Sequence, residues 1–116
     1  MSSGERVPIR YRKALAYITR EKEGRKQLLV FTHRDYPEAG VQVPAGTAHD
    51  SEDIEATIFR EVEEETGLTG LRLIRKLAQQ DYIHPGTHNI HERHFFHMSA
   101  SPDTPDTWNW IETSGG

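Results

Sequence analysis

The sequence predicts an α+β fold in which one helix is set among five or six strands. Three observations carry this. Residues 51–67 hold the one stretch with helical spacing and helix-end signals, from Ser51 to Gly67. The other ordered stretches are short runs rich in β-formers, separated by Gly-, Pro- and Asp-rich turns. The chain has 116 residues, with neither an internal repeat nor a linker, which suits a single domain spanning residues 1–116.

Met1 to Pro8 reads as a loose leader. From Ile9 to Arg20, Ala14, Ala16 and Ile18 alternate with Leu15 and Tyr17, the period of a strand. Glu21 to Lys26 is a charged turn around Gly24. Gln27 to His33 is a second strand, whose continuous run Leu28-Leu29-Val30-Phe31 predicts burial on both faces. The two form a hairpin. Asp35 to Gly40 is a loop by composition. Val41 to Val43 is a short strand stopped by Pro44, and Ala45 to Asp50 is a second loop. Ser51 is placed to cap a helix running to about Thr66. Gly67 then supplies the left-handed residue that ends it, and Leu68 the apolar contact behind it. Leu71 to Tyr82 and Ile90 to Met98 are two more strands around the turn His84 to Asn89. Ser101 to Asp106 is loop, Trp108 to Ile111 a last strand, and Thr113 to Gly116 a frayed end.

Composition narrows the function classes. Hydrophobic residues are 34% and charged residues 28%, an ordinary globular balance. A formal net charge of -4 argues against a general nucleic-acid or membrane-surface binder, which needs a basic face. It leaves phosphate binding open where a divalent cation lies between the charges. With no cysteine, disulfides, thiolate metal sites and cysteine nucleophiles are excluded. The polar start and the lack of a membrane-length apolar run make a cytoplasmic location the expectation.

The informative segment is Arg60-Glu61-Val62-Glu63-Glu64-Glu65-Thr66. Glu61, Glu64 and Glu65 stand at i, i+3 and i+4, so a helix puts them on one face with Cβ atoms about 5–6 Å apart. Like charges repel there, and the negative end of the helix dipole adds to the cost. A solvated acidic face is the bland reading, but such a face belongs at a helix start. A divalent cation removes the conflict, since Mg²⁺ takes carboxylate, water and phosphate oxygens. Arg60 lies four residues before Glu64, and its planar fork suits orienting a carboxylate, with Glu52 reaching back toward the loop.

These residues resemble the Nudix box, G-x5-E-x7-R-E-U-x-E-E-x-G-U with U bulky and apolar. Gly46, Glu52, Arg60, Glu61, Val62, Glu64, Glu65, Gly67 and Leu68 match every fixed position. The preceding Val-Pro-Ala-Gly is similar to the family's usual entry. His49 and Ser51 stand where many members carry Glu and Gly. The resemblance implies an α/β/α sandwich with a mixed β-sheet, although nothing before Gly116 is a candidate for the family's final helix. It implies a hydrolase that cuts the diphosphate of a nucleoside diphosphate linked to another group, with Mg²⁺ as cofactor and Mn²⁺ as its substitute. Glu61, Glu64, Glu65 and the Ala45 carbonyl would hold the metal. Arg60 and Glu52 would hold the carboxylates in place, and Gly46 would permit the tight loop.

A glutamate of the cluster could act as base, as could Glu92, Glu112 or Asp103. Arg34, Tyr82 and Arg93 are weaker candidates for phosphate or base contact, and each is equally a solvated side chain. His84, His88, His91, His94 and His97 lie close in sequence, but a strand sends His91, His94 and His97 to alternating faces, against a zinc site. Phe95-Phe96 reads as core. The expected partner is a small nucleotide-like diphosphate, not nucleic acid or membrane. Two other readings stay open: a catalytically silent nucleotide-binding or sensor module, and a metal-binding structural domain. The first would be expected to have lost box glutamates, and the second leaves Arg60 and Gly46 unexplained.

Overall fold

The computed structural model describes residues 7–112. The leader reading falls mostly, and the frayed end wholly, outside the described residues. The chain runs through β1 (Arg10–Lys22), β2 (Arg25–Leu28), a 3-10 turn (Pro37–Ala39), β3 (Ala45–Thr47), α1 (Ile54–Thr66), β4 (Arg72–Ile83) and β5 (Ile90–Ser99). The sheet order is β2-β1-β5-β4, with β3 also pairing β1. β1 and β5 are parallel and the other pairs antiparallel, so the sheet is mixed, with one helix against it. No described helix is long and apolar enough to cross a membrane.

Alternation on β1 and β5 builds the core. Ala14, Ala16 and Ile18 from β1 and Phe96 and Met98 from β5 are buried beneath Ile58 and Val62 of α1. The two alanines leave room for the helix to approach β1 closely. Each large apolar side chain buried here contributes roughly 1.5–3 kcal/mol. Leu68 packs at the margin of this core, as expected of the residue behind the helix stop.

Several expectations change. β2 begins two residues early and ends at Leu28, and the apolar run is not buried on both faces: Leu28 and Val30 are exposed while Leu29 packs on the core. Val41 to Val43 forms only a bridge, Phe31 with Gln42. The regular strand comes after Pro44, at Ala45–Thr47, where Lys13, Ala14 and Leu15 of β1 offer partners. Ser51 is not the cap, because it takes a positive φ of 66° in a turn. Asp53 occupies the N-cap position and makes no side-chain cap bond. Gly67 does end the helix, at φ 80°, its N–H donating to the Glu63 carbonyl. Trp108 to Ile111 is not a strand.

Candidate active site

β3 and the second half of α1 frame the site. β3 is fixed on β1 by the Ala14–Gly46 pairing, and α1 packs over both strands. Glu61 is thereby pressed against Gly46 with only 4% of its surface exposed. A Cβ on residue 46 would overlap the Glu61 carboxylate, so glycine is required by the approach of the acid. One turn on, Glu65 accepts a hydrogen bond from the Ala45 N–H at 3.2 Å. The Glu61 charge is felt by Glu65 there.

Arg60 ties the carboxylates together. Its Nε and Nη2 donate to the two oxygens of Glu52 at 2.8 and 2.9 Å, a bidentate fork. Nη1 donates to Glu61 at 2.6 Å and to Glu64 at 3.1 Å, and Nη2 also reaches the Thr47 carbonyl at 3.1 Å. Glu52 is held further by the His49 N–H at 3.0 Å and the hydroxyl of buried Thr57 at 2.8 Å. These donors, Arg60 first, hold the Glu52 carboxyl far below its ordinary range. Its hydrogen bonds to Glu52 and Glu61 in turn raise Arg60 above the usual guanidinium value. The opposite holds deeper in: burial pushes Glu61 upward against the pull of Arg60, and pushes Glu65 up to about 8.

Three carboxylates therefore share one guanidinium, which is largely committed to Glu52, while Glu65 leans on the Ala45 N–H. Among the described residues, no three carboxylate or imidazole groups meet at one point in metal-binding geometry. Arg60 Nη1 stands between Glu61 and Glu64. The donor set fits a hard divalent cation in chemistry: all oxygen, excess negative charge, and partly buried acids that burial penalises. Glu63, at the free position of the motif, is exposed.

The other candidates fall in different places. Arg34 lines a cavity of about 770 Å³ that also touches Glu65, walled by residues 29–36 and 106–112. Glu112 lies on the same wall, and its charge raises Glu65. Tyr82 and Arg93 are brought to each other, the guanidinium 4.5 Å from the ring centroid, on the sheet face opposite α1. Glu92 pairs with Arg10 and with His94, and Asp103 lies in the loop after β5. His91 points with Tyr82, while His94 is buried toward α1 and His97 bonds Thr19 at 2.8 Å. Sequence reasoning missed Thr57, the Thr47 carbonyl, Trp108 and Trp110. None of them belongs to the motif, and only the Trp-x-Trp spacing was a visible signal.

The sequence matches the family model of the NUDIX domain over residues 10–114. No curated protein matches it. Among solved structures, the C. elegans Ap4A hydrolase is similar at 18% identity and TM-score 0.65, covering 89% of this chain and 76% of that one. A Nudix hydrolase from M. Smegmatis aligns at 16% identity and TM-score 0.64, over 84% of this chain and 66% of that one. A mutT/nudix family protein from Listeria innocua gives 24% identity and TM-score 0.54, over 84% and 68%. At these identities the structures establish the fold.

Proposed function

This chain belongs to the NUDIX family and is a hydrolase of phosphoric anhydride bonds in nucleoside diphosphate derivatives, and from that premise we propose that it works with a divalent cation held by Glu61, Glu64 and Glu65. Mg²⁺ is the expected ion and Mn²⁺ its substitute. The observation that carries the reading is the crowding of Glu52, Glu61 and Glu64 around Arg60, with Glu65 one turn on at the Ala45 N–H and a glycine that leaves Glu61 its space.

In this mechanism Glu61, Glu64 and Glu65 hold the metal, with the Ala45 carbonyl beside them. When bound, the ion supplies positive charge that stabilises the diphosphate in its transition state and makes a water easier to deprotonate. Arg60, anchored on Glu52, sets the orientation of Glu61 and Glu64 before any ligand arrives, so little reorganisation accompanies binding. Among the base candidates Glu112 is favoured, because its charge is felt by Glu65 and both line one cavity. Arg34, in the cavity beside Glu65, is placed to meet a phosphate or the group attached to it.

The test is turnover with Mg²⁺ and with Mn²⁺ across a panel of nucleoside triphosphates, nucleotide sugars, coenzymes and dinucleoside polyphosphates. Ap4A is included because a fold neighbour hydrolyses it. Metal-dependent release of a nucleotide product is the expected result. A chain that binds nucleotides without turning any of them over would instead be a silent sensor module.

A further inference from the structure

The last turn of α1 carries Glu64 and Glu65, and a helix end is where backbone order is weakest. The final carbonyls of a helix lack intrahelical donors and the turn frays unless something binds them. Of the last four here, three are met in a specific way. The Glu63 carbonyl takes the Gly67 N–H at 2.8 Å. One position earlier, the Val62 carbonyl takes the Thr66 hydroxyl at 2.7 Å. The Glu64 and Thr66 carbonyls are met by indoles from the segment after β5: Trp110 Nε1 donates to the Glu64 carbonyl at 2.9 Å, and Trp108 Nε1 to the Thr66 carbonyl at 2.8 Å.

The fit is steric as well as polar. The Trp110 ring lies over Gly67, where an added Cβ would come within 2.7 Å of ring carbon Cζ3. Gly67 thus serves twice, as the left-handed stop and as the floor for an indole. The Trp-x-Trp spacing that imitates a strand puts both rings on the same side of an extended segment, toward the helix end. That segment is tied down at its start, where Arg20 reaches the Thr104 carbonyl and Asp106. Further along it carries Glu112, whose charge is felt by Glu65.

We propose that Trp108 and Trp110 are positioning residues: they clamp the last turn of α1 through its carbonyls and so hold the Glu64 and Glu65 carboxylates where the cation needs them. The proposal rests on the metal reading above. Both indoles act through the backbone of the helix end and not as ligands of the ion. Each supplies a directed N–H that offsets the negative helix end, which the cluster of acids otherwise makes worse.

The experiment uses the full chain without substrate. Trp108→Phe and Trp110→Phe keep an aromatic ring and remove the N–H, and Asn109→Ala, between them, is the control. Mn²⁺ affinity is read by electron paramagnetic resonance, and amide exchange of residues 64–67 by NMR in metal-free buffer. Trp110→Phe is expected to weaken Mn²⁺ binding about tenfold, as loss of an outer support for a metal site does. It should speed exchange in the last turn about fivefold, the factor for one lost hydrogen bond. Trp108→Phe should do less to Mn²⁺ and as much to exchange, and Asn109→Ala neither. Phe variants that match the wild-type chain in both readouts overturn the clamp. Faster exchange with unchanged Mn²⁺ affinity overturns the positioning role and leaves a purely structural cap. A wild-type chain that binds no Mn²⁺ overturns the metal reading and this inference together, and shows before any variant is made.

Discussion

On the α1 side of the sheet, Ala14, Ala16, Ile18, Phe96 and Met98 are sealed under a helix whose polar edge carries Glu61, Glu64 and Glu65, the first two bound with Glu52 to Arg60. On the other side, Tyr11, Lys13, Leu15 and Tyr17 of β1 stand beside His91, Arg93, Phe95 and His97 of β5. Among the described residues no helix lies over them. The first face packs completely and then spends part of that stability on crowded charge. The second is half-exposed and is held by contacts among its own rings, such as Tyr17 on Phe95 and His91 between Tyr11 and Tyr82. The difference teaches where each kind of variant should act. Changes in the charged cluster should cost activity and little stability, because they relieve repulsion. Changes on the open face should cost stability and little activity.

The largest effect is expected at Glu64. Glu64→Gln keeps the shape and removes a charge and a ligand oxygen. Turnover on a confirmed substrate should fall on the order of 10²-fold or more, with thermal stability kept or slightly raised. Glu63→Gln, one residue away on the exposed side, should change kcat less than twofold. Equal losses at the two positions would erase the distinction between the faces of this helix.

How far this contrast was legible beforehand depended on the kind of signal. The acid cluster was legible because i, i+3, i+4 spacing is set by helix geometry; Gly46 was legible only through the Nudix motif and as a loop glycine, whereas it lies in β3 and leaves room for Glu61. Arg60 was placed correctly beside Glu64, but its stronger tie is to Glu52. The strands with true alternation, β1 and β5, were readable. β2 was not, since an unbroken apolar run looks the same in a buried strand and in an edge strand that exposes every second residue. Ser51 has the chemistry of a cap, yet the turn before α1 gives it a positive φ and shifts the start to Ile54. Trp108 and Trp110 alternate like strand residues, and nothing local reveals that their partners are carbonyls over 40 residues away.

Metal should distinguish the faces next. Mg²⁺ bound only to the folded state stabilises by about 2.7 kcal/mol at a hundredfold excess over Kd, several degrees in Tm for a domain of this size. A site that still lacks its phosphate ligands should show part of this at millimolar Mg²⁺. The shift should exceed that from Na⁺ at equal ionic strength and shrink in Glu61→Gln and Glu65→Gln. A melt indifferent to Mg²⁺ and Mn²⁺ up to tens of millimolar would return the cluster to a plain acidic surface.

A smaller effect follows from acidity. Glu65 titrates near 8 in the metal-free fold, chiefly through burial, against an ordinary value of 4.5. Between those values the folded chain keeps a proton that the unfolded chain has lost. Metal-free stability should therefore fall as pH rises across that window and level off above it. Urea midpoints in chelator at pH 5.5 and 8.5 measure this, and Glu65→Gln should flatten the slope. Because the cation competes with the same proton, the Mg²⁺-induced gain should grow with pH over the same range. A gain that shrinks instead would mean that Glu65 is not a ligand.

The smallest effect belongs to the open face. Arg93 stacks on Tyr82 at 4.5 Å, a cation–π contact at a site where Tyr82 is 39% exposed. Such contacts contribute about 0.5–1 kcal/mol. Arg93→Ala should lose that much in chemical denaturation, while kcat stays within twofold of wild type, because neither side chain contacts the glutamate cluster. KM is the sharper readout. Both residues carry chemistry that could contact a phosphate or a base, and a long substrate could reach round the sheet edge from β3, where Thr47 pairs with Lys13. A tenfold rise in KM with kcat intact would place Tyr82 and Arg93 at the far end of the substrate and join the two faces into one site. An unchanged KM with a lower denaturation midpoint would leave the open face a matter of stability alone.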